Sequence, residues 1–289
     1  MKGKTCVVTG ANSGIGLATA RGLAEKGARV LLLCRDEKKG LQALEGIRRA
    51  TGNEALSLHL VDLARQEQLR EAGAAIREAC PVIDVLVNNA GTWISEYTLT
   101  DQGVEKVFAV NHLGPFLLTH LLYPSLRKAE DGRIINVSSD NHYQAEMYFE
   151  DLNLSDRYHG LRSYAQSKLA NVMFTVEFNR CKPDSQIDVN AVQPGLVHTD
   201  IGLKHTSWLH ALAWKVRRSF WKSKTPEEGA ATNIYLATAD EARGRSGLYW
   251  DECRPKPAAP STQDSEQTGR LWRRSEELCG IEDYFHIRD

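Results

Sequence analysis

The chain has 289 residues, 42% of them apolar and 25% charged, with a formal net charge of −1. That length admits one large α/β domain or two small ones, and the balance is that of an ordinary globular protein. A net charge near zero supplies no long-range field for nucleic acid or an anionic surface. The six cysteines, Cys6, Cys34, Cys80, Cys181, Cys253 and Cys279, show no C-x-x-C spacing. This argues against a zinc site or a disulfide framework and for a reducing, cytoplasmic setting. No window reaches the roughly 18 uninterrupted apolar residues of a spanning helix, and only Met1–Lys4 precedes the first apolar run. Neither a signal peptide nor a transmembrane helix is expected.

In chain order, short apolar runs alternate with longer segments of helical period, the pattern of βαβ units around a parallel sheet. A strand at Thr5–Thr9 leads to a helix at Gly14–Lys26, and a strand at Arg29–Cys34 to a helix at Glu37–Ala50. Then come strand Ala55–Val61, helix Gln66–Ala79, strand Asp84–Asn88 and a long helix over Thr100–Arg127. Strand Arg133–Ser138, helix Ser163–Cys181, strand Asp188–Val192, helix Pro226–Thr238 and a short strand near Gly247–Trp250 complete the set. Several strands are near-continuous in Val, Leu and Ile, as strands covered on both faces should be. Thr225-Pro226-Glu227-Glu228 reads as a cap, a proline at the first helical position and acids at the positive end of the dipole. With no repeat, low-complexity tract or linker, the expectation is a single doubly wound Rossmann-type α/β domain over 1–289. Asp140–Gly160 and Gly195–Lys224 fit no regular element, and loops of that length are usually functional.

The first strand runs into Thr9-Gly10-Ala11-Asn12-Ser13-Gly14-Ile15-Gly16, which opens a helix. Such a turn lets the backbone approach a pyrophosphate whose charge sits at the helix N-terminus. A glycine-rich turn can also be a packing feature, but this context is that of dinucleotide binding. Chains that prefer NAD usually end the second strand in an acid that bonds the ribose 2′-hydroxyl. Here that strand ends Leu33-Cys34-Arg35-Asp36, and an always-charged, bidentate guanidinium suits a 2′-phosphate. Arg35 paired with Asp36 or Glu37 is the alternative; NADP(H) is the expected cofactor.

Tyr164 and Lys168 stand four apart on one helix face. A free phenol titrates near ~10, and a nearby ammonium is expected to lower that value. Upstream, hydroxyls end a strand at Val137-Ser138-Ser139, Asn88-Asn89-Ala90-Gly91 ends another, and Asn111 lies in the long helix. Asn88 could simply cap the sheet and Asn111 could be a satisfied buried amide; together, in this order, they say more.

The ordered set Thr9…Gly16, Asp62, Asn88–Gly91, Asn111, Ser139, Tyr164–Lys168 and Pro194-Gly195 resembles the short-chain dehydrogenase/reductases over nearly the whole chain. The resemblance implies a seven-stranded parallel sheet and hydride transfer between nicotinamide C4 and a carbonyl or alcohol carbon. It implies Tyr164 as general acid–base, Ser139 on the substrate oxygen, Lys168 on the nicotinamide ribose and Asn111 anchoring a water that relays protons to Lys168. The cofactor set it implies is Gly10, Asn12, Ser13, Gly14, Ile15 and Gly16, then Arg35, Asp62 and Leu63, then Asn89, Ala90 and Gly91. Pro194, Gly195, Val197 and Thr199 complete it, with Tyr164 and Lys168. The long and Tyr164-bearing helices would be the family's usual homodimer-forming pair.

Ser139 stands 25 residues before Tyr164, longer than in much of the family. With Ser167-Lys168-Leu169-Ala170-Asn171 and the tail Leu271-Trp272…Ser275-Glu276, this is similar to the retinol-dehydrogenase-like branch. That branch implies NADP(H) and a lipophilic carbonyl or alcohol such as a retinoid, sterol or lipid aldehyde. Its microsomal members carry a hydrophobic N-terminal anchor, which this sequence lacks ahead of Thr5. Two other readings stay open: a nucleotide-binding regulatory or scaffolding protein with vestigial catalysis, and an extended-type epimerase, for which the residues after Val192 are too few. The 195–224 segment reads as a substrate-covering lid and 252–289 as a C-terminal extension. As a helix, Trp208–Lys224 gathers Trp208, Leu209, Leu212, Ala213, Val216 and Phe220 on one side with basic residues around them. That make-up fits either a lid packed on the protein's own cleft or a peripheral membrane contact.

Overall fold

The computed structural model describes residues 1–195 and 224–287. Val197, Thr199 and the lid segment between its end residues, with the Trp208–Phe220 pattern, lie outside them.

Strand β1 (Thr5–Thr9) shows why this sequence folds as a two-sided sheet. Cys6 and Val8 point into one helix layer and Val7 into the other, all fully buried, as the period of two requires. The same alternation runs through β2 (Arg29–Cys34). Strands β3 (Leu56–Leu60), β4 (Val85–Asn88), β5 (Gly132–Val137), β6 (Ile187–Gln193) and β7 (Leu248–Asp251) join them in parallel, in the order β3-β2-β1-β4-β5-β6-β7. Helices α1 (Gly14–Glu25), α2 (Glu37–Thr51) and α7 (Pro226–Thr238) cover one face. Helices α3 (Gln66–Ala79), α5 (Gly114–Leu126) and α6 (Gly160–Cys181) cover the other. The strand order reverses between β1 and β4, and a crevice opens there at the carboxyl ends of the strands.

The expected caps are made: Thr225 Oγ1 accepts from Glu228 N at 3.2 Å while Glu228 Oε2 accepts from Thr225 N at 2.7 Å. Two expectations change. The long helix does not start at Thr100: Gly103, at φ +74°, closes a turn back to Thr100. Glu105 then caps a short α4 (Lys106–Phe108), which passes through a π-helical turn (Ala109–Leu113) into α5. The sheet has an eighth strand, β8 (Arg254–Lys256), antiparallel to β7. Glu252 and Cys253 form the connecting turn, both in the left-handed region at φ +47° and +59°. Pro255 then sits on the outer edge, where a missing N–H does no harm.

The C-terminal residues form a helix that the sequence reading did not assign, α8 (Ser265–Cys279), capped by Asp264 and closed by Gly280 at φ +62°. It lies across α5 and α6. Twelve of the thirteen residues of α5 are buried. The Tyr284 hydroxyl donates to Phe116 O at 2.7 Å, and His120 Nδ1–H donates to Tyr284 O at 2.7 Å. Trp272 meets the ring of Phe116 edge-on at 5.2 Å, and Thr268 Oγ1 donates to Glu177 at 2.7 Å. The helices α5 and α6 therefore carry the chain's own α8, because a helix buried all round needs a partner on every face. Among the described residues no helix is long and apolar enough to cross a membrane.

Leu271, on the buried face of α8, is 1% exposed and Leu41, on α2, is 52% exposed. Leu271→Ala should cost about 2–5 kcal/mol, whereas Leu41→Ala should stay within about 0.5 kcal/mol. Urea midpoints of the two variants check this, and equal shifts would mean that α8 is not part of the core.

Candidate active site

The residues singled out in the sequence and described in the structure converge on the crevice edge. Each follows a strand, except Asn111 on the π-helical turn and Tyr164 with Lys168 on α6. The turn after β1 rests against the turn after β4. A Cβ on Gly16 would stand 2.3 Å from Asn89 Nδ2 and 2.4 Å from Gly10 O, so no larger residue fits. Gly10 and Gly14 take φ +65° and +54°, conformations that suit glycine. Thr9 Oγ1 accepts from the N–H of Asn89 and Ala90 at 3.0 and 2.9 Å, and Asn89 Nδ2 donates to Thr9 O at 2.9 Å. The N-cap of α1, Ser13, makes no side-chain cap bond, and the first turn holds no acid. Its N–H groups and positive dipole end are thus left for an anion.

Beside this turn, Arg35 approaches Asp62 at 4.0 Å, along a groove that Val61, Arg65 and Gln68 continue. Asp62 Oδ1 accepts from Ala64 N at 3.0 Å, which fixes the loop after β3. Leu63 packs against Gly114, a structural contact. The Arg35 partner is Asp62 rather than Asp36, whose carboxylate caps α2 through Lys39 N at 2.9 Å. The glycine-framed helix end and the guanidinium at the second strand fit a phosphorylated dinucleotide.

On the other side of the crevice β5 and α6 are stitched together. Ser138 Oγ donates to Lys168 O at 2.7 Å, and Lys168 Nζ donates to Val137 O at 2.9 Å. The phenol of half-buried Tyr164 stands beside the Ser139 hydroxyl, and Lys168 Nζ lies 5.5 Å from the centre of the Tyr164 ring. Asn111, fully buried, accepts from Thr92 N at 2.7 Å and donates to Thr92 O at 2.9 Å and Ser167 Oγ at 3.0 Å. That side chain is fully committed, tying the loop after β4 to α6. Asn88 binds Thr119 and Asn136 between β4, α5 and β5, a buried structural amide.

One electrostatic expectation is corrected. Burial pushes the Tyr164 phenol up to about 12, and the Ser139 hydrogen bond draws it only part-way back. The ammonium does not reverse this, because it faces the ring and the Val137 carbonyl, and its own burial lowers Lys168 to about 8.

A family model described as short chain dehydrogenase matches residues 4–210. Retinol dehydrogenase 13 of Homo sapiens is 41% identical over 97% of this chain and 86% of its own length. Retinol dehydrogenase 14 of Mus musculus is 38% identical over 97% and 87%. The chain belongs to the short-chain dehydrogenases, in their retinol-dehydrogenase-like branch. An uncharacterised protein from Mycobacterium paratuberculosis, solved by crystallography, superposes with a TM-score of 0.77 at 31% identity, covering 99% of this chain and 96% of that one. A short chain dehydrogenase from Shigella flexneri complexed with NADP superposes with a TM-score of 0.69 at 25% identity, over 88% and 98%. As a short-chain dehydrogenase the chain is an oxidoreductase that works with a nicotinamide dinucleotide.

Within that family frame, one side chain escaped the sequence reading. The Glu105 carboxylate, 1% exposed, accepts from Val107 N, Phe108 N (both 2.8 Å) and Ser163 Oγ (2.7 Å), so one acid positions the start of α4 and the residue before Tyr164. An acid directly before a helix start, within reach of the N–H groups two and three residues on, was the available signal.

Proposed function

We propose that this chain interconverts a carbonyl and an alcohol on a lipophilic substrate, with NADP(H) as cofactor and Tyr164 as the proton donor and acceptor. The observation that carries this reading is the Tyr164 phenol, beside Ser139 and with Lys168 against its ring, at the carboxyl-end crevice. When bound, the dinucleotide supplies or accepts the hydride. The α1 N-terminus with Gly10, Asn12, Ser13, Gly14, Ile15 and Gly16 would hold its diphosphate. Arg35 would hold the 2′-phosphate; Asp62 and Leu63 would flank the adenine. Asn89, Ala90 and Gly91 would lie along the adenosine ribose, with Pro194 and Gly195 beside the nicotinamide.

A phenol held near 12 is protonated at neutral pH. Tyr164 thus starts in the acid form that carbonyl reduction uses, and Ser139 donates to the same substrate oxygen, where negative charge develops. Alcohol oxidation needs the phenolate, so it gains as pH rises, while reduction does not. Lys168, lowered to about 8, holds the ribose and restores protons to Tyr164, and the water relay assigned to Asn111 starts from its backbone, since its amide is occupied.

The rim supports the lipophilic class. Trp93 packs against Gly160, one helical turn before Tyr164 on the same face. Tyr143, which follows Ser139, and Leu161 are 39% and 50% exposed, and Tyr97 meets Tyr158 edge-on at 5.4 Å. These apolar side chains come from the segments that carry Gly91, Ser139 and Tyr164. The retinol dehydrogenase names of the relatives point to the same substrate class.

Replacing Arg35 with alanine should weaken NADPH binding on the order of ten- to a hundredfold, the worth of one charge-assisted contact, and leave NADH binding nearly unchanged. Titration of both nucleotides into both proteins checks it; equal losses would remove the 2′-phosphate assignment. Tyr164→Phe should lower turnover by roughly 10²–10⁴-fold while leaving NADPH binding intact. In wild type, retinol oxidation should accelerate from neutral to alkaline pH while retinaldehyde reduction stays level. A phenylalanine variant with wild-type kcat would exclude Tyr164 from the chemistry.

A further inference from the structure

Ser139 is held by more than the end of β5. The next residues form a 3-10 turn (Asp140–Gln144) whose His142 is fully buried. Its Nε2 lies 3.1 Å from the backbone N–H of Ala259, and its Nδ1 lies 2.8 Å from Ser139 O. A backbone N–H can only donate, so Nε2 is the acceptor. The ring proton is therefore on Nδ1, donated to the Ser139 carbonyl. The His142 backbone N–H donates to that same carbonyl at 3.0 Å.

The far end of this strut is itself fixed. Thr262 donates to Ala259 O through both its backbone N–H, at 2.9 Å, and its hydroxyl, at 2.6 Å. Lys256 Nζ on β8 binds Asp140 at 2.9 Å and Asp251 at 3.2 Å, and the Tyr249 hydroxyl on β7 donates to Asp140 at 2.9 Å. The imidazole is packed between Tyr143 and Tyr249, with ring centres 4.1 and 4.5 Å away. Thus Asp140 and Tyr143 on its own turn, Tyr249 on β7 and Lys256 on β8 are the titratable groups around it.

We propose that His142 is a positioning residue: it braces the Ser139 carbonyl against the β7–β8 hairpin and so aims the Ser139 hydroxyl at the substrate oxygen. The proposal rests on the reading of Ser139 given above. It also assigns a role to β8 and the segment through Ala259. A neutral imidazole is required, because a proton on Nε2 would face the Ala259 N–H; burial, which lowers the His142 pKa, keeps the ring neutral.

The test is a double-mutant cycle on the full chain, with retinaldehyde reduction followed by NADPH consumption in wild type, His142→Phe, Ser139→Ala and the double variant. His142→Phe should lower kcat on the order of tenfold to a hundredfold, the cost of misplacing one polar group, with KM for NADPH within about twofold of wild type. In the Ser139→Ala background the same change should cost less than about twofold, because the hydroxyl it aims is gone. His142→Asn, whose Nδ2 can replace the Nδ1 donor, should recover much of the loss, and it carries the cycle if the phenylalanine variant fails to fold. An equal loss in both backgrounds, or none in wild type, overturns the proposal. A Ser139→Ala protein with wild-type turnover would instead remove the reading of Ser139 itself, and the proposal with it.

Discussion

Lys168 is 3% exposed, with its ammonium on the Val137 carbonyl, and none of the described carboxylates shares it. A buried, unpaired cation is costly, and the shift of this lysine to about 8 expresses that cost. Much of the surrounding structure keeps it there. Ser138 binds its carbonyl, Asn171 reaches the same Val137 oxygen at 3.4 Å, and α6 is buried along most of its length. Glu105 and Asn111 fix the start of α6 from the loop and helix that follow β4. A cation held in this way favours chemistry in which negative charge or a proton passes beside it, and Tyr164 is the group it lies against.

The second organising constraint is lack of space between the turns after β1 and β4. Gly16 leaves no room for a side chain against Asn89 and Gly10, and Thr9 binds both Asn89 and Ala90. The crevice is therefore a fixed frame on which the free N-terminus of α1 is presented. The C-terminal α8 packs over α5 and α6. A mixed aromatic layer of Phe116, Phe174, Trp272 and Tyr284 joins them, with Phe116 and Tyr284 centred 4.6 Å apart.

The alternation of apolar runs made β1, β2, β4, β5 and β6 legible to within a residue or two, because strands buried on both faces leave little else to read. The candidate site was legible because glycines and hydroxyls sit at strand ends in a fixed order, with Tyr164 and Lys168 four apart on α6. What escaped reading depends on contacts distant in sequence. The turn at Glu252-Cys253 carries none of the glycine or asparagine that usually marks a left-handed turn, so β8 gave no signal. The signals for α8, Asp264 at its start and Gly280 at its end, were present but lay in a polar tail whose apolar stripe has meaning only against α5 and α6. Tyr164 shows a different limit: spacing placed the lysine on its face, but only the burial of both groups reveals that the phenol is raised rather than lowered.

The account stands on hydride transfer at the crevice edge, and isotope transfer tests that without any mutation. NADPH deuterated at C4 on one face, and separately on the other, would be incubated with the protein and retinaldehyde, and the product alcohol analysed by mass spectrometry. The account predicts one deuterium in the alcohol from one of the two labelled cofactors and none from the other, since the fixed crevice presents one face to the substrate. Alcohol carrying label from both cofactors alike, or no alcohol at all despite tight NADPH binding, would contradict it.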